Sequence, residues 1–127
     1  MTAPARSSLV VALLFMSACA HFDVYRVEVV DTLYFGTMKA DGSAVTDVQW
    51  KQFLSDVVVP RLEGFTTWDA DGLYHTSSGA VQRERTHIVQ ILRADERAVA
   101  EIIAAYKKQF AQESVLRLRG RAGVAFQ

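Results

Sequence analysis

The sequence predicts an α+β sandwich in which two helices cover one face of a four-stranded antiparallel sheet. Two observations lead to this fold. Residues 94–118 combine a long amphipathic helix with a strand that follows almost directly, so both must share one core. The complete order of predicted elements is β-α-β-β-α-β, the split βαβ arrangement of ferredoxin-like domains. Right-handed crossovers then place both helices on one face and give the strand order 4-1-3-2.

Composition limits the class of protein. The chain has 127 residues, half of them hydrophobic, and its 14 acidic and 14 basic side chains balance. This length and composition predict a single domain. A formal net charge of zero gives no long-range field that would favour nucleic acid, so no nucleic-acid partner is expected. The single cysteine, Cys19, excludes an intramolecular disulfide and a cysteine-cluster metal site.

The N-terminal segment is typical of a bacterial lipoprotein signal peptide. Arg6 supplies a cation, and residues 9–16 form an apolar run that is too short to span a bilayer. Two small residues follow this run and precede Cys19, and the sequence MSAC resembles a lipobox. We therefore expect residues 1–18 to be cleaved off and Cys19 to carry the lipid.

This processing predicts where the protein resides. Residues 19–23 would form a lipidated N-terminus and short tether, and residues 24–127 the domain, anchored by lipid and facing the periplasm. Ala20 after the cysteine favours the outer membrane, by resemblance to lipoprotein sorting. The alternative is ordinary cleavage after Ala20, which would give a soluble periplasmic or secreted protein.

The first strand is predicted over residues 24–36, where side chains alternate between two faces. A loop follows over residues 38–44, with a turn at Asp41-Gly42. One face of the strand is apolar and the other is mixed. The first face carries Tyr25, Val27, Val29, Leu33 and Phe35, and the second Arg26, Glu28, Val30, Thr32 and Tyr34.

The first helix is predicted over residues 46–59, opened by a capping box of Thr46 and Gln49 and stopped by Pro60. Its buried side is Trp50, Phe53, Leu54, Val57 and Val58. Strands over residues 64–70 and 86–93 then form a hairpin. The expected turn signals of this hairpin are Asp71-Gly72 and the polar loop at residues 75–79.

The second helix begins at Asp95, its predicted N-cap, and ends near Lys107 and Lys108. Its core side is Val99, Ile102, Ile103, Tyr106 and Phe110. In the last strand Leu116, Leu118, Ala122, Val124 and Phe126 alternate with Arg117, Arg119 and Arg121. This alternation predicts leucines on the covered side of the sheet and arginines on the uncovered side.

The uncovered face is the first candidate site. We expect Arg117 and Arg119, flanked by Thr66, Trp68 and Tyr34, to bind an anionic ligand or a partner surface. The candidate partners are a second copy of the chain or another envelope protein. The alternative is a solvated edge strand whose charges resist aggregation.

The end of the second helix is the other candidate site. Its members are Glu84, Tyr106, Lys107, Gln112, Glu113 and Ser114. The alternative is a structural network that ties the helix end to the neighbouring strand. A metal site is not predicted, because His21, His75 and His87 are scattered along the chain.

Several segments also resemble a known family. They are LYFG at residues 33–36, VTDVQWKQFLSDVVVPR at 45–61, GFTTWDADG at 64–72, Arg83-Glu84 before a strand, and AYKKQFAQESVL at 105–116. Together they are similar to uncharacterised bacterial envelope proteins of domain-of-unknown-function family 3574. The resemblance implies a small, often lipid-anchored domain, and it implies no activity.

No strong catalytic signature is present, and no cofactor is expected. The sequence therefore favours a non-enzymatic binding or interaction module of the cell envelope. The alternative is a small periplasmic enzyme that acts on an anionic or aromatic small molecule, with Tyr106, Glu84 or His87 as acid or base.

Overall fold

The computed structural model describes residues 24–126. The predicted signal peptide, Cys19 and the tether lie outside the described residues. The chain forms the strands and helices β1 (Arg26–Gly36), α1 (Asp47–Phe53), β2 (Thr66–His75), β3 (Val81–Leu92), α2 (Glu96–Phe110) and β4 (Leu116–Val124). Within the described part, no helix is long and apolar enough to cross a membrane.

The four strands form one antiparallel sheet in the order β2-β3-β1-β4. Read from the other edge, this is the predicted order 4-1-3-2. Side chains of α1, α2 and one sheet face form a single core cluster, so both helices lie on the same side. The predicted α+β fold is confirmed. We call the helix-bearing side the covered face and the other side the open face.

The core is an aromatic cluster between the sheet and the helices. Tyr106 of α2 lies at its centre, with its ring centroid 4.7 Å from that of Phe35, 5.1 Å from Phe53 and 4.9 Å from Phe110. These edge-on and tilted contacts are the geometries that aromatic rings prefer, and they add to the hydrophobic effect of burying the rings. The helix faces predicted from periodicity therefore meet as expected.

Both helices begin as predicted. Thr46 and Gln49 form the capping box, with the Gln49 N–H donating to the Thr46 hydroxyl at 3.2 Å. Asp95 caps α2 by accepting from the Ala98 N–H at 3.0 Å. Helix α1 continues through a π-helical segment (Leu54–Val58) and a 3₁₀ segment (Val59–Arg61), so it runs slightly past its predicted end. Pro60 is tolerated there because it lies in the first turn of the 3₁₀ segment.

The hairpin of β2 and β3 is longer than predicted. Asp71 and Gly72 are not a turn, because they pair with Arg85 and Glu84 inside the hairpin. The chain reverses instead at residues 76–80, where the Thr76 N–H donates to the Ala80 carbonyl at 2.9 Å and Gly79 has φ of +83°. Cross-strand pairing over the full strand length overrides the local turn preference of Asp-Gly.

The prediction of which β4 side chains face the helices is wrong. Leu116 lies opposite Tyr34 and Leu118 opposite Thr32, which places both leucines on the open face. Arg117 and Arg119 alternate with them and lie on the covered face. The physical reason is Asp31, which is fully buried on the covered face of β1 and needs a cation.

Arg117 supplies that cation. Its Nε donates to Asp31 Oδ1 at 2.8 Å, and its two terminal nitrogens donate to the Glu96 carboxylate at 2.8 and 3.1 Å. Arg119 also contacts Glu96, and its Nε lies 3.9 Å from Asp31 Oδ1. Two arginines and two acids thus form a neutral network that joins β1, β4 and the first turn of α2.

Candidate functional site

A cavity of about 720 Å³ opens at one end of the open face. Its floor is made of open-face residues from all four strands, and its wall consists of residues 38–40 after β1 and residues 111–114 after α2. The floor residues are Tyr34, Gly36, Gly72, Tyr74, Gln82, Glu84, Thr86 and Leu116. The size suits a small organic molecule.

Glu84 is held in place at the edge of this cavity. Its Oε1 accepts a hydrogen bond from the Met38 N–H at 2.6 Å. A side chain at Gly36 would put a Cβ 2.7 Å from the same oxygen, so glycine there leaves room for the carboxylate. Among residues 24–126, no hydrogen bond reaches Glu84 Oε2. One oxygen therefore fixes the side chain, and the other is available to a ligand.

Tyr106 and Gln112 hold the chain segment that anchors Glu84. The Tyr106 hydroxyl donates to the Gly36 carbonyl at 2.8 Å, and the Gln112 amide donates to the Met38 carbonyl at 2.9 Å. Burial, and secondarily the negative charge of Glu84, raise the pKa of Tyr106 far above its ordinary value. Tyr106 is therefore a neutral hydrogen-bond donor near neutral pH. Both contacts tie the end of α2 to the end of β1, as expected for a structural network.

Of the remaining residues predicted to cluster at the end of α2, two line the cavity and one does not. Ser114 and Glu113 line the cavity together with Glu84 and Gln112. Lys107 does not: its side chain is exposed, and its backbone carbonyl accepts from the Gln112 N–H at 3.1 Å. Its place in the sequence suggested a shared site, but the helix turns its side chain away from the cavity.

The predicted open-face site is only partly assembled. Tyr34, Trp68 and Thr66 lie on the open face, where Trp68 and Tyr34 flank Ile88. Arg117 and Arg119 face the helices instead, and their guanidinium groups are engaged by Asp31 and Glu96. The aromatic half of the predicted site therefore exists without its cations.

His87, the third proposed acid or base, lies on the covered face away from this cavity. It is buried and stacks on Trp50, with ring centroids 4.4 Å apart and planes inclined by 4°. Its Nδ1 lies 2.5 Å from Asp69 Oδ1. Arg85, and secondarily His87, lower the pKa of Asp69 through hydrogen bonds. Across the described residues, no group of three or more metal-ligating side chains comes together.

Sequence reasoning missed Asp31 and therefore misplaced the arginines. Asp31 alternates in phase with Leu33 and Phe35 on the apolar face of β1, so its position was a usable signal. A carboxylate on a buried face requires a cation. The cations that alternate at strand spacing are those of β4.

The family follows from the sequence match. Residues 30–126 match the family described as "Protein of unknown function (DUF3574)". The chain belongs to this family. No curated protein matches the sequence.

Two solved structures are similar in fold to this DUF3574 chain. One is described as a phage SAM lyase in the apo state, with 16% sequence identity and a TM-score of 0.55, covering 80% of this chain and 86% of the other. The other is a phage SAM lyase in complex with S-methyl-5'-thioadenosine, with 14% identity and a TM-score of 0.52. It covers 78% of this chain and 90% of the other. At this identity the likeness shows the fold.

Four of the segments that carry the DUF3574 resemblance meet at the cavity. LYFG supplies Tyr34 and Gly36, the segment at residues 64–72 supplies Gly72, the Arg83-Glu84 pair supplies Glu84, and the segment at residues 105–116 supplies residues 111–114 and Leu116. These segments are far apart in sequence, and the sheet register brings them together.

Proposed function

We propose that this DUF3574 domain is a binding module of the cell envelope and that it holds a small molecule in the cavity beside Glu84. The observation that carries the proposal is the carboxylate itself. It is partly buried, fixed through Oε1 and free at Oε2, inside a concave site of ligand size. Tyr34 and Tyr74 add aromatic surface from two different strands.

Two variants that introduce a large side chain, one inside the cavity and one outside it, test this function. Thr86 lies on the cavity floor, and Thr66 lies on the open face outside the cavity lining. Thr86→Phe should abolish binding because the ring occupies the cavity, and the matched Thr66→Phe should leave binding intact. The measurement is the set of small molecules from an envelope extract that the purified protein retains, identified by mass spectrometry. Equal retention by both variants and the wild type would refute the proposed site.

An enzyme remains a second candidate, and one observation favours it. Of the three acids or bases considered, Glu84 alone lines the cavity. The Tyr106 hydroxyl donates a hydrogen bond to a backbone carbonyl, and His87 is stacked on Trp50. Both of the solved structures named above as similar in fold are of an enzyme, a phage SAM lyase. Incubation with SAM, followed by mass spectrometry of the mixture, tests this candidate, and a reaction that Glu84→Gln abolishes would support it.

The envelope location belongs to the same proposal. Its support is the lipobox-like sequence that ends at Cys19, after an apolar run of signal-peptide length. A lipid at Cys19 would tether the domain to the periplasmic side of a membrane, with the outer membrane favoured. A diacylated and N-acylated cysteine anchors a protein stably, whereas a single chain binds only marginally.

The open face provides the interaction surface of the module, and its occupant in this proposal is a second copy of the chain. Three exposed apolar side chains support it: Trp68 is 41% exposed, Leu116 56% and Leu118 51%. The two central cross-strand rows on this face carry no charged side chain. An identical face can therefore pack against it without repulsion between like charges.

A further inference from the structure

We infer that the ligand of this cavity is a small organic cation attached to a planar ring, with Glu84 as its counter-ion. This inference rests on the proposed function, because it assigns the chemical class that the same cavity takes. Its basis is the charge inventory of the described residues and the shape of the cavity floor. The sequence alone predicts the opposite charge, an anionic ligand bound by Arg117 and Arg119.

The charge inventory singles out Glu84. Four carboxylates among residues 24–126 are buried or partly buried, namely Glu28, Asp31, Glu84 and Glu101. Three of them pair with arginine: Glu28 with Arg93, Asp31 with Arg117, and Glu101 with Arg61 and Arg97. Within the described part of the chain, Glu84 takes part in no ion pair. A partly desolvated carboxylate without a cation favours a positively charged ligand.

The other charged residues that line the cavity also favour a positively charged ligand. Glu113 adds a second carboxylate at the wall, and Lys39 is the one basic residue that lines the described cavity. The Lys39 ammonium lies 5.9 Å from the centroid of the Phe110 ring, within the range of a cation–π contact. Lys39 thus has an aromatic partner within the fold, and the two acids leave the lining with an excess of negative charge.

The floor favours a planar ring. Gly36 and Gly72 carry no side chains, and Gly72 lies opposite Glu84 in the sheet register. Tyr34 and Tyr74 line the same floor from β1 and β2. Tyrosine rings bind both flat apolar groups and cations, because the face of the ring is negatively polarised. A ligand with a ring on the glycine floor can therefore direct its cationic group to Glu84 Oε2.

Three indoles of different charge test this class: tryptamine is a cation, tryptophol is neutral and indole-3-acetate is an anion. Calorimetric titration of the wild-type protein should rank their affinities in that order. The cation should bind about tenfold more tightly than the neutral analogue, the scale of one hydrogen bond to a charged group. Glu84→Gln should remove this preference, because glutamine keeps an oxygen for the Met38 N–H and loses the charge. Glu63→Gln is the matched control, an exposed acid outside the cavity lining.

A second variant keeps the test decisive if Glu84→Gln does not fold. Glu113→Gln changes an exposed wall residue, and it should reduce the preference for tryptamine by about twofold, the smaller effect of a solvated charge. If the three indoles bind equally and Thr86→Phe abolishes their binding, the proposal of a cationic ligand is wrong but the proposed binding site is supported. Failure of all three to bind would overturn the proposed ligand class, whereas binding that Thr86→Phe does not change would overturn both the class and the proposed site.

Discussion

Asp31 and Arg117 determine which side chains of β4 lie on the covered face of the sheet. Asp31 is 0% exposed, and Arg117 reaches it from the edge strand at 2.8 Å. A shift of β4 by one residue would place Leu116 and Leu118 in the covered layer and would leave the buried carboxylate without its partner. Removing one member of a buried ion pair costs about 3 to 5 kcal/mol, which offsets a gain of similar size from burying two leucines.

We expect Arg117→Gln to destabilise the domain by about 3 kcal/mol, because it leaves Asp31 buried without its closest cation. This value is at the low end for a broken buried pair, since Arg119 Nε remains 3.9 Å from the carboxylate. The measurement is urea unfolding followed by tryptophan fluorescence. An arginine exposed on the open face would instead contribute little to stability.

Two controls accompany this prediction. Arg121→Gln removes the next arginine on the same face, which forms no ion pair within residues 24–126, and should cost less than about 0.5 kcal/mol. Adding Asp31→Asn to Arg117→Gln should recover part of the loss, because the unpaired charge is gone. If Arg117→Gln and Arg121→Gln have equal effects, Asp31 does not orient the strand.

Asp69 should make the stability of the folded domain fall at acid pH. Hydrogen bonds from Arg85 and then His87 hold its pKa in the folded state below its ordinary value of 3.8. Its contribution is therefore fully present above about pH 4 and is lost as the pH falls through the lowered value. Asp69→Asn should flatten the fall of the melting temperature between about pH 4 and pH 2. Asp71→Asn, an exposed residue of the same strand, should keep the wild-type slope, and a slope common to all three proteins would contradict the assignment.

At the scale of an element, α2 distinguishes two adjacent isoleucines. Ile102 is 0% exposed in the core, whereas Ile103 is only partly buried at its margin. Ile102→Ala should cost about 2 to 5 kcal/mol, and Ile103→Ala clearly less. Thermal unfolding of the two variants side by side measures the difference. An equal or reversed order would mean that α2 packs on the sheet in another rotation.

The length of the hairpin creates much of the cavity. Had the chain turned at Asp71-Gly72, Tyr74 and Gln82 would not reach the floor beside Glu84. Because β2 and β3 continue to residues 76–80, Gly72 pairs with Glu84 and Tyr74 with Gln82. The extension of two strands by a few residues thus decides whether the carboxylate lies on a flat edge or in a concave site.

At the scale of the whole molecule, the open face predicts dimerisation. Replacing Leu116 and Leu118 together by Gln should shift the solution mass from dimer to monomer, because both side chains lie exposed on that face. Leu73→Gln is the control: it is also exposed, and it lies on the other face of β2. Light scattering measures the mass. A wild-type protein that is monomeric at all concentrations would contradict the proposed dimer.

Lipid anchoring is tested on the full chain in cells. Labelling with a fatty-acid probe should mark the wild-type protein and should fail for Cys19→Ser, because acylation requires the thiol. The wild type should sediment with membranes, and the variant should lose this association. No label on the wild type, or equal label on both proteins, would favour the soluble alternative.

The order of elements, the helix starts and the strand order could all be predicted from the amino-acid sequence. The elements and the helix starts depend on local signals, namely the capping residues Thr46 and Asp95 and the spacing of apolar residues, which act within a few positions along the chain. The strand order follows from the right-handedness of the crossover connections. The sequence also identified Glu84 and the segment after α2 as one cluster, and it assigned the family to which the chain belongs.

Three features required the folded structure: which β4 side chains face the helices, the length of the hairpin, and the charge of the candidate site. Alternation in a strand says which residues share a face but not which face is covered, and that choice depended on Asp31, which is 86 positions from Arg117. The cavity likewise joins Gly36, Glu84 and Gln112 through cross-strand register and helix packing. Such contacts depend on chain segments that are distant in sequence, so no local pattern specifies them.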